Sequence, residues 1–406
     1  MERFIGIIGI VFFFLVAFLC SSNRKKINWV LVAKGMVLQI VFALLILKFP
    51  PGRAFFEGVS GVITKLLDFT KEGSGFLFGP LLDTSKFGVI FALQVLPTVI
   101  FFSSLMAVLY YLGIMQFVVS WMAKGMLKVL GTSGAETLSA VANVFIGQTE
   151  APLVIKPYIK DMTQSELFTV MVGGMATVSG GVMAGYVAMG VNAGHLLAGS
   201  IMAAPIGLII SKILEPETET PVTKGKIEMS VEKLDCNVID AAARGASEGL
   251  SLALNVGAML LAFIALIALI NSLLGWVGGF VHLPQLSLNW VFGRIFAPIA
   301  YIMGIPANDI LSAGDLLGQK IVINEFVAFS GLSNLIKSGA ITQKTIIILT
   351  YALCSFANFS SIAIQIGGLG GLAPERRSHI AKFGLKALLG GALTTCITGT
   401  IAGILL

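Results

Sequence analysis

The sequence predicts an all-α membrane protein with eight transmembrane helices, two re-entrant helical hairpins, and an inverted repeat with broken helices. Three observations carry that expectation. Of 406 residues, 56% are hydrophobic and only 12% charged, about half the charge of a soluble globular domain, and mean hydropathy is +0.93. Eight segments reach the roughly 20 apolar residues that a helix needs to cross the hydrocarbon core. Two further apolar stretches each hold a carboxylate at their middle, at matching places in the two halves of the chain.

Composition also excludes classes. The 46 glycines and 13 prolines suit a membrane bundle, where both are commoner than in soluble helices. The net charge of +6 is spread singly or in short clusters between apolar runs, so it reads as topogenic charge, with no nucleic-acid partner. Cys20, Cys236, Cys354 and Cys396 have no CxxC spacing and read as buried small hydrophobes rather than a disulfide or metal site. His195, His282 and His379 are far apart and read as loop residues. No Ser/His/Asp or zinc spacing is present, and no GK[ST] follows the run Gly367–Gly371, so neither an enzyme nor a phosphate loop is expected.

In chain order, Phe4–Cys20 is read as a retained first span. No small-x-small cleavage site precedes a soluble domain, and the basic cluster Arg24, Lys25, Lys26 follows. The other spans are Trp29–Lys48, Phe87–Leu112, Glu166–Met189, Leu196–Ile213, Leu250–Leu274, Thr345–Ile366 and Gly384–Leu406. Lys34 lies near the basic end of the second, where a long side chain snorkels to the interface. The positive-inside rule places Arg24–Lys26 in the cytoplasm. It does the same for the loop Leu214–Gly249 with Lys224, Lys226, Lys233 and Arg244, and for Arg376, Arg377 and Lys382. Gly190–Gly194 and Gly275–Trp290 lack Lys and Arg and face out, as do both termini. The alternation holds only if Thr132–Tyr158 and Asn308–Phe329 enter and leave the membrane by one side, as hairpins. The charged stretch after Pro216 reads as a flexible loop. The expected organisation is 1–86 as two helices with an extracellular interfacial segment, 87–213 as a first repeat, 214–249 as the cytoplasmic loop and 250–406 as a second repeat.

The repeat is visible directly. GTSGAETLSA at Gly131–Ala140 and GIPANDILSA at Gly304–Ala313 share Gly, Ala and Leu-Ser-Ala at the same offsets. Each follows a long apolar span and an amphipathic stretch, Met115–Leu130 or Leu288–Met303. Each leads to a polar tip, GQTEAP at Gly147–Pro152 or NEFVA at Asn324–Ala328. Each tip precedes a helix interrupted by small and hydroxylic residues, ATVSGG at Ala176–Gly181 or FANFSS at Phe356–Ser361. An odd number of crossings separates the two units, so the second is inverted, the plan of many secondary transporters.

A carboxylate in mid-membrane costs about 2.5–3.5 kcal/mol on insertion scales, so Glu150 and Glu325 need a reason to be there. Buried pairing with Lys156 or Lys320 is one. Hydrogen bonding to an uncharged, polyhydroxylated substrate, or proton carriage, is the other. Gln148 and Thr149 add donors and acceptors beside Glu150, Asn358 and Ser361 share a helical face, and Phe356 adds an aromatic surface or plain packing. No buried Arg or Lys cluster awaits a phosphate or carboxylate. Asn143, Thr177 and nearby carbonyls suit a small monovalent cation, with helix packing as the alternative for Asn143. Ser133-x-x-Glu136 is a capping box that starts a helix. A channel with the carboxylates as a selectivity ring is the reading from another class.

GQTEAPLVIKPYI, TVSGGVMAGY, NEFVAF and SFANFSSIAI together resemble the concentrative nucleoside transporters in their short bacterial form, in order and spacing over nearly the whole chain. The resemblance implies a cation-coupled symporter that imports nucleosides across the bacterial inner membrane, a homotrimer with two hairpins and eight spans per subunit. It implies Gln148, Thr149 and Glu150 near the nucleobase, Val182 and Phe356 lining it, and Glu325, Asn358 and Ser361 on the ribose hydroxyls. It also implies a sodium site of Asn143, Thr177 and the carbonyls of Ile146 and Val178, with no cofactor beyond the coupling ion. Asn143 favours sodium over protons, because proton-driven relatives tend to lack that asparagine.

Overall fold

The computed structural model describes residues 2–87, 90–225, 235–280 and 282–406. Lys226 and Lys233 of the expected cytoplasmic loop lie outside the described residues, as do positions 88–89 of the third expected span and 281 of an outward loop. Among the described residues the chain is helical, with one isolated bridge between Ser133 and Lys224 and no strand.

Helix α1 (Glu2–Leu19) stops where the apolar run gives way to Ser-Ser-Asn-Arg. The Arg24 guanidinium donates to the carbonyls of Phe18 and Leu19, at 3.2 and 2.6 Å, filling acceptors that a helix end leaves open. Asn28 then caps α2 (Trp29–Leu47) by accepting from the Leu31 amide. Pro50 and Pro51 open α3 (Pro50–Phe78), at the first turn, where a missing N–H costs nothing.

Helix α4 (Leu96–Tyr111) packs against α10 (Val238–Phe280), whose 43 residues exceed the expected span Leu250–Leu274. Arg244, expected in a loop, is therefore helical. Asn237 accepts from the Asp240 amide and starts the helix early over an alanine-rich stretch of high helix propensity. Close approach explains two glycines here: a Cβ on Gly245 would come within 2.7 Å of the Ser103 carbonyl oxygen, and one on Gly249 within 2.8 Å of Ile100 Cα.

Between and after these helices lie the two segments that begin near the matching decapeptides. In the first, α5 (Ile114–Leu130) ends at Gly131, α6 (Gly134–Ala142) leads to the polar tip, and α7 (Gln164–Ala176), α8 (Gly180–Ala188) and α9 (Ala193–Leu214) follow. In the second, α11 (Leu288–Ile302) is followed by Gly304, α12 (Ile310–Val322), α13 (Glu325–Ser338), α14 (Gln343–Leu353), α15 (Phe359–Leu372) and α16 (Arg377–Leu405). Gly131 and Gly304, the first residues of the matching decapeptides, have φ of +71° and +80°, the left-handed turn that suits glycine at a helix end. The interruptions fall at Thr177–Ser179 and Cys354–Asn358, inside ATVSGG and beside FANFSS. The capping box at Ser133 and Glu136 is formed, and Thr163 with Glu166 makes another at the start of α7.

Among the described residues, seven helical segments are long and apolar enough to cross a membrane. The eighth expected span, Thr345–Ile366, is instead the two shorter helices α14 and α15. Burial sorts the segments: over an 18-residue apolar stretch, 89% is inside in Gln164–Ala188 and in Ala193–Leu214, against 17% in Val238–Phe280. The first two form the core with α16, and α10 is mostly exposed.

Several expectations are corrected. Cys354 and Cys396 are buried, but Cys20 and Cys236 are exposed, and all four are free. Cys20 falls just past the end of α1, on its outer side. His195 and His379 lie in the first turns of α9 and α16, and His195 Nδ1 sits 3.3 Å from the Tyr351 hydroxyl. Only His282 occupies a turn, at φ +59°. Nor is the segment after Pro216 loose throughout. Thr223 accepts from the amides of Gly134 and Ala135, at 2.9 and 3.1 Å. Glu217 accepts from Thr163 Oγ1 at 2.9 Å and pairs with Lys212 Nζ at 3.2 Å.

Lys212 is the centre of this clasp. Its ammonium is buried, 2.7 Å from Glu136 Oε2, and donates to Ser165 Oγ at 2.9 Å. The pair ties the start of α6 to the end of α9. Removing one partner of a buried pair leaves the other uncompensated, at about 3–5 kcal/mol. Lys212→Met should lower the thermal denaturation midpoint of the detergent-purified protein strongly, and adding Glu136→Leu should recover part of the loss. An unchanged midpoint in the single variant contradicts the role given to this pair.

Candidate binding site at the helix breaks

The two interruptions face each other. The Phe356 amide donates to the Thr177 carbonyl at 3.1 Å, so one break closes on the other. The Gly180 amide donates to the Phe145 carbonyl at 2.9 Å, so the first break also holds the turn between α6 and the polar tip. Each helix that restarts after a break is capped by a side chain. Ser179 accepts from the Val182 amide, and Asn358 Oδ1 accepts from the Ser361 amide at 2.9 Å and Ser360 Oγ at 2.7 Å. Asn324 does the same for α13, accepting from the Val327 amide at 2.9 Å, which places Glu325 in the first turn, where a helix dipole favours a carboxylate.

From these anchors a chain of polar side chains runs through the protein. Asn358 Nδ2 donates to Glu325 Oε2 at 2.7 Å, and Gln148 Nε2 donates to Ser361 Oγ at 3.2 Å. Gln148 Oε1 accepts from Gln365 Nε2 at 3.1 Å, and the same nitrogen lies 2.9 Å from the Met171 carbonyl. Gln148, Glu325, Asn358 and Ser361 are all buried. Lys320, also buried, donates to Thr395 Oγ1 at 3.2 Å and forms no ion pair with Glu325. Tyr186 stacks on Phe329 and meets Phe326 edge-on, with centroids 4.1 and 4.9 Å apart, walling this region apolarly. Val182 is buried and Phe356 half-buried.

Thr149 and Glu150 are placed differently. Both are exposed, which corrects the expectation of a second buried carboxylate. Thr149 packs on Gly368, where an added Cβ would lie 3.1 Å from its methyl. Glu150 sits on a cavity of about 750 Å³ whose lining includes Ser103, Tyr110, Ile146 and Gly180. The far rim of that cavity is an ionic cluster. Arg244 donates to both Asp235 oxygens, at 2.6 and 2.9 Å, and to Glu248 at 2.8 Å. Its guanidinium holds the Asp235 carboxyl below the usual carboxylate range. Of the eight expected substrate residues only Glu150 lines this cavity, while Gln148, Glu325, Asn358 and Ser361 belong to the closed network.

Of the expected cation ligands, Asn143 and Ile146 follow α6 and Thr177 and Val178 lie in the first break, two segments joined by the Gly180 amide on the Phe145 carbonyl. Asn143 caps α6, and its Nδ2 donates to the Ser139 carbonyl at 2.9 Å, while its Oδ1 is buried without a hydrogen-bond partner. Thr177 is extended and buried, and donates to the Gly173 carbonyl at 3.2 Å. Among the described residues no N–H donates to the carbonyls of Ile146 or Val178. An orphaned buried amide oxygen is costly, and beside free carbonyls it fits a small hard cation. Sequence reasoning missed Gln365. Its signal was legible: it lies four residues past Ser361 and seven past Asn358, a lone amide on the same helical face.

The family model described as "Na+ dependent nucleoside transporter C-terminus" matches residues 195–403, its N-terminal counterpart matches 8–81, and one described as "Nucleoside recognition" matches 92–193. The nucleoside permease NupC of Helicobacter pylori is 44% identical over 407 residues, 98% of this chain and 97% of its own. Sodium/nucleoside cotransporter 1 of Mus musculus is 39% identical over all of this chain and 64% of its own length. The structure of CNTnw in an inward-facing substrate-bound state superposes with a TM-score of 0.94 at 44% identity, covering 100% of this chain and 98% of that one. A variant of CNTnw in an outward-facing state gives 0.96 at the same identity, covering 100% and 99%. Fold and site thus define an all-helical membrane transporter, not an enzyme. The chain belongs to the Na+-dependent nucleoside transporter family, and its activity is nucleoside transport.

Gln365→Leu strips Gln148 Oε1 and the Met171 carbonyl of their shared donor, a loss of about 1–3 kcal/mol for buried acceptors. The expected result is nucleoside affinity lowered roughly ten-fold in calorimetric titration of the purified protein. Wild-type affinity in this variant contradicts a role for Gln365 in setting Gln148.

Proposed function

We propose that the chain is a sodium-coupled nucleoside symporter of the bacterial inner membrane, working as a homotrimer and binding both cargoes at the helix breaks. The observation that carries the reading is the orphaned Asn143 Oδ1, buried beside the extended Thr177 and one turn of chain from Gln148. On this reading α7 with α8, and α14 with α15, each count as one broken span, making eight. The segments around Gln148–Glu150 and Ile323–Glu325 are the tips of two re-entrant hairpins, related by inversion, within repeats at 87–213 and 250–406. Both termini then face away from the cytoplasm.

Asn143 Oδ1, Thr177 Oγ1 and the carbonyls of Ile146 and Val178 would replace part of the ion's hydration shell. Gln148, Thr149 and Glu150 approach the nucleobase, Val182 and Phe356 flank it, and Glu325 with Asn358 and Ser361 takes the ribose hydroxyls. These polar groups hold one another, as Gln148 holds Ser361 and Asn358 holds Glu325. A nucleoside must exchange those bonds for its own, so a bound cation that fixes the first break lowers the ordering cost of binding. One charge moving down 100 mV is worth about 2.3 kcal/mol, roughly fifty-fold accumulation.

Nucleoside uptake into proteoliposomes with an inward sodium gradient should exceed equilibrium, and Asn143→Ala should abolish the sodium dependence while leaving slow exchange. Uptake driven as strongly by a proton gradient without sodium would overturn the ion assignment, and dissipative flux alone would indicate a channel. Glu325→Gln should reduce uptake roughly hundred-fold, about 3 kcal/mol for a charge-assisted hydrogen bond to ribose.

A further inference from the structure

A groove on the surface of α2 is apolar except for one ammonium, that of Lys34. It has a volume of about 560 Å³ and is lined by Trp29, Val30, Val37 and Val41, with Val129 from the end of α5 and Lys34 at its centre. Trp29, Val30 and Val37 are each more than half exposed, an apolar seat that lipid covers in a membrane protein. Lys34 lies five residues along α2 from Trp29, about 7.5 Å deeper along the axis. Among the described residues it makes no hydrogen bond and no ion pair.

The two segments that supply the groove's lining carry charge of one sign. Residues 21–47 and 113–135 hold Arg24, Lys25, Lys26, Lys34, Lys124 and Lys128 and no Asp or Glu. Arg24 is occupied by the carbonyls at the end of α1, but the five lysines are all exposed. An ammonium part-way down an apolar groove must either snorkel to water or meet an anion. A zwitterionic headgroup brings as much positive charge as negative, whereas an anionic phosphodiester answers the whole cluster.

We propose that this groove binds an anionic glycerophospholipid, one acyl chain lying between α2 and Val129 and the phosphate resting on Lys34. The site sits where α2 meets α5, the helix leading into the first repeated unit, so its occupancy fixes that unit to the N-terminal helices.

The test is native mass spectrometry of the full-length, delipidated protein in detergent, titrated with phosphatidylglycerol or phosphatidylcholine of matched chains. Phosphatidylglycerol should be retained preferentially. Lys34→Gln should weaken it about five-fold, the equivalent of ~1 kcal/mol for one basic residue at an anionic lipid surface, and should leave phosphatidylcholine unaffected. Val37→Trp keeps the charge, fills the seat and should lower retention of both lipids. Equal retention of the two lipids by the unmodified protein, absence of any adduct because another copy covers the groove, or wild-type binding by Lys34→Gln overturns the proposal.

Discussion

Backbone that leaves the helix inside a membrane must find partners within the protein, because lipid supplies none. The Phe356 amide on the Thr177 carbonyl answers that demand for both breaks at once. Around it, every restart is capped: Ser179 for α8, Asn358 for α15, Asn324 for α13. Capping fixes where Glu325, Ser361 and Val182 stand, so the groups proposed to bind cargo are positioned by the same residues that make the breaks tolerable. What capping leaves over, the Asn143 amide oxygen and two free carbonyls, is proposed to serve the cation.

The rest of the architecture holds the breaks at the right depth. Left-handed glycines at 131 and 304 end the amphipathic helices and turn the chain toward the tips. The Glu136–Lys212–Glu217 clasp binds the start of α6 to the end of α9 and to the following segment. Because that clasp is buried and hydrogen-bonded to Thr163 and Ser165 as well, α6 and α9 are expected to move as one body. α4 and α10, whose contact is glycine-mediated, form another closely packed pair. The cavity bearing Glu150 is lined by α4, α10, the tip that follows α6 and the first break, with Asp235, Arg244 and Glu248 in its wall.

Much of this was legible because polar residues inside apolar runs are expensive and therefore informative. The interruptions at ATVSGG and FANFSS, the capping box at Ser133 and the doubled decapeptide all announced themselves through local chemistry. Long-range placement did not. That Glu150 would open onto a cavity while Glu325 was buried depends on how far α4 and α10 stand from the tip, which no local pattern encodes. Thr223 docks onto Gly134 and Ala135 through its carbonyl and its hydroxyl, a long-range contact that no local pattern announces. The forward extension of α10 was hidden by Arg244 and Glu248, charges that suggest a loop until their pairing with one another on one helical face is recognised.

The central claim is that the cation and the nucleoside share one structural element, the first helix break. Equilibrium binding tests it without the complications of flux. Nucleoside titrations of the purified protein in sodium chloride and in choline chloride should differ in affinity roughly ten-fold, within the usual span of coupling free energies. Asn143→Ala should bind with the weaker constant in both salts. Equal affinity in the two salts for the unmodified protein, or an undiminished sodium effect in Asn143→Ala, would contradict the account.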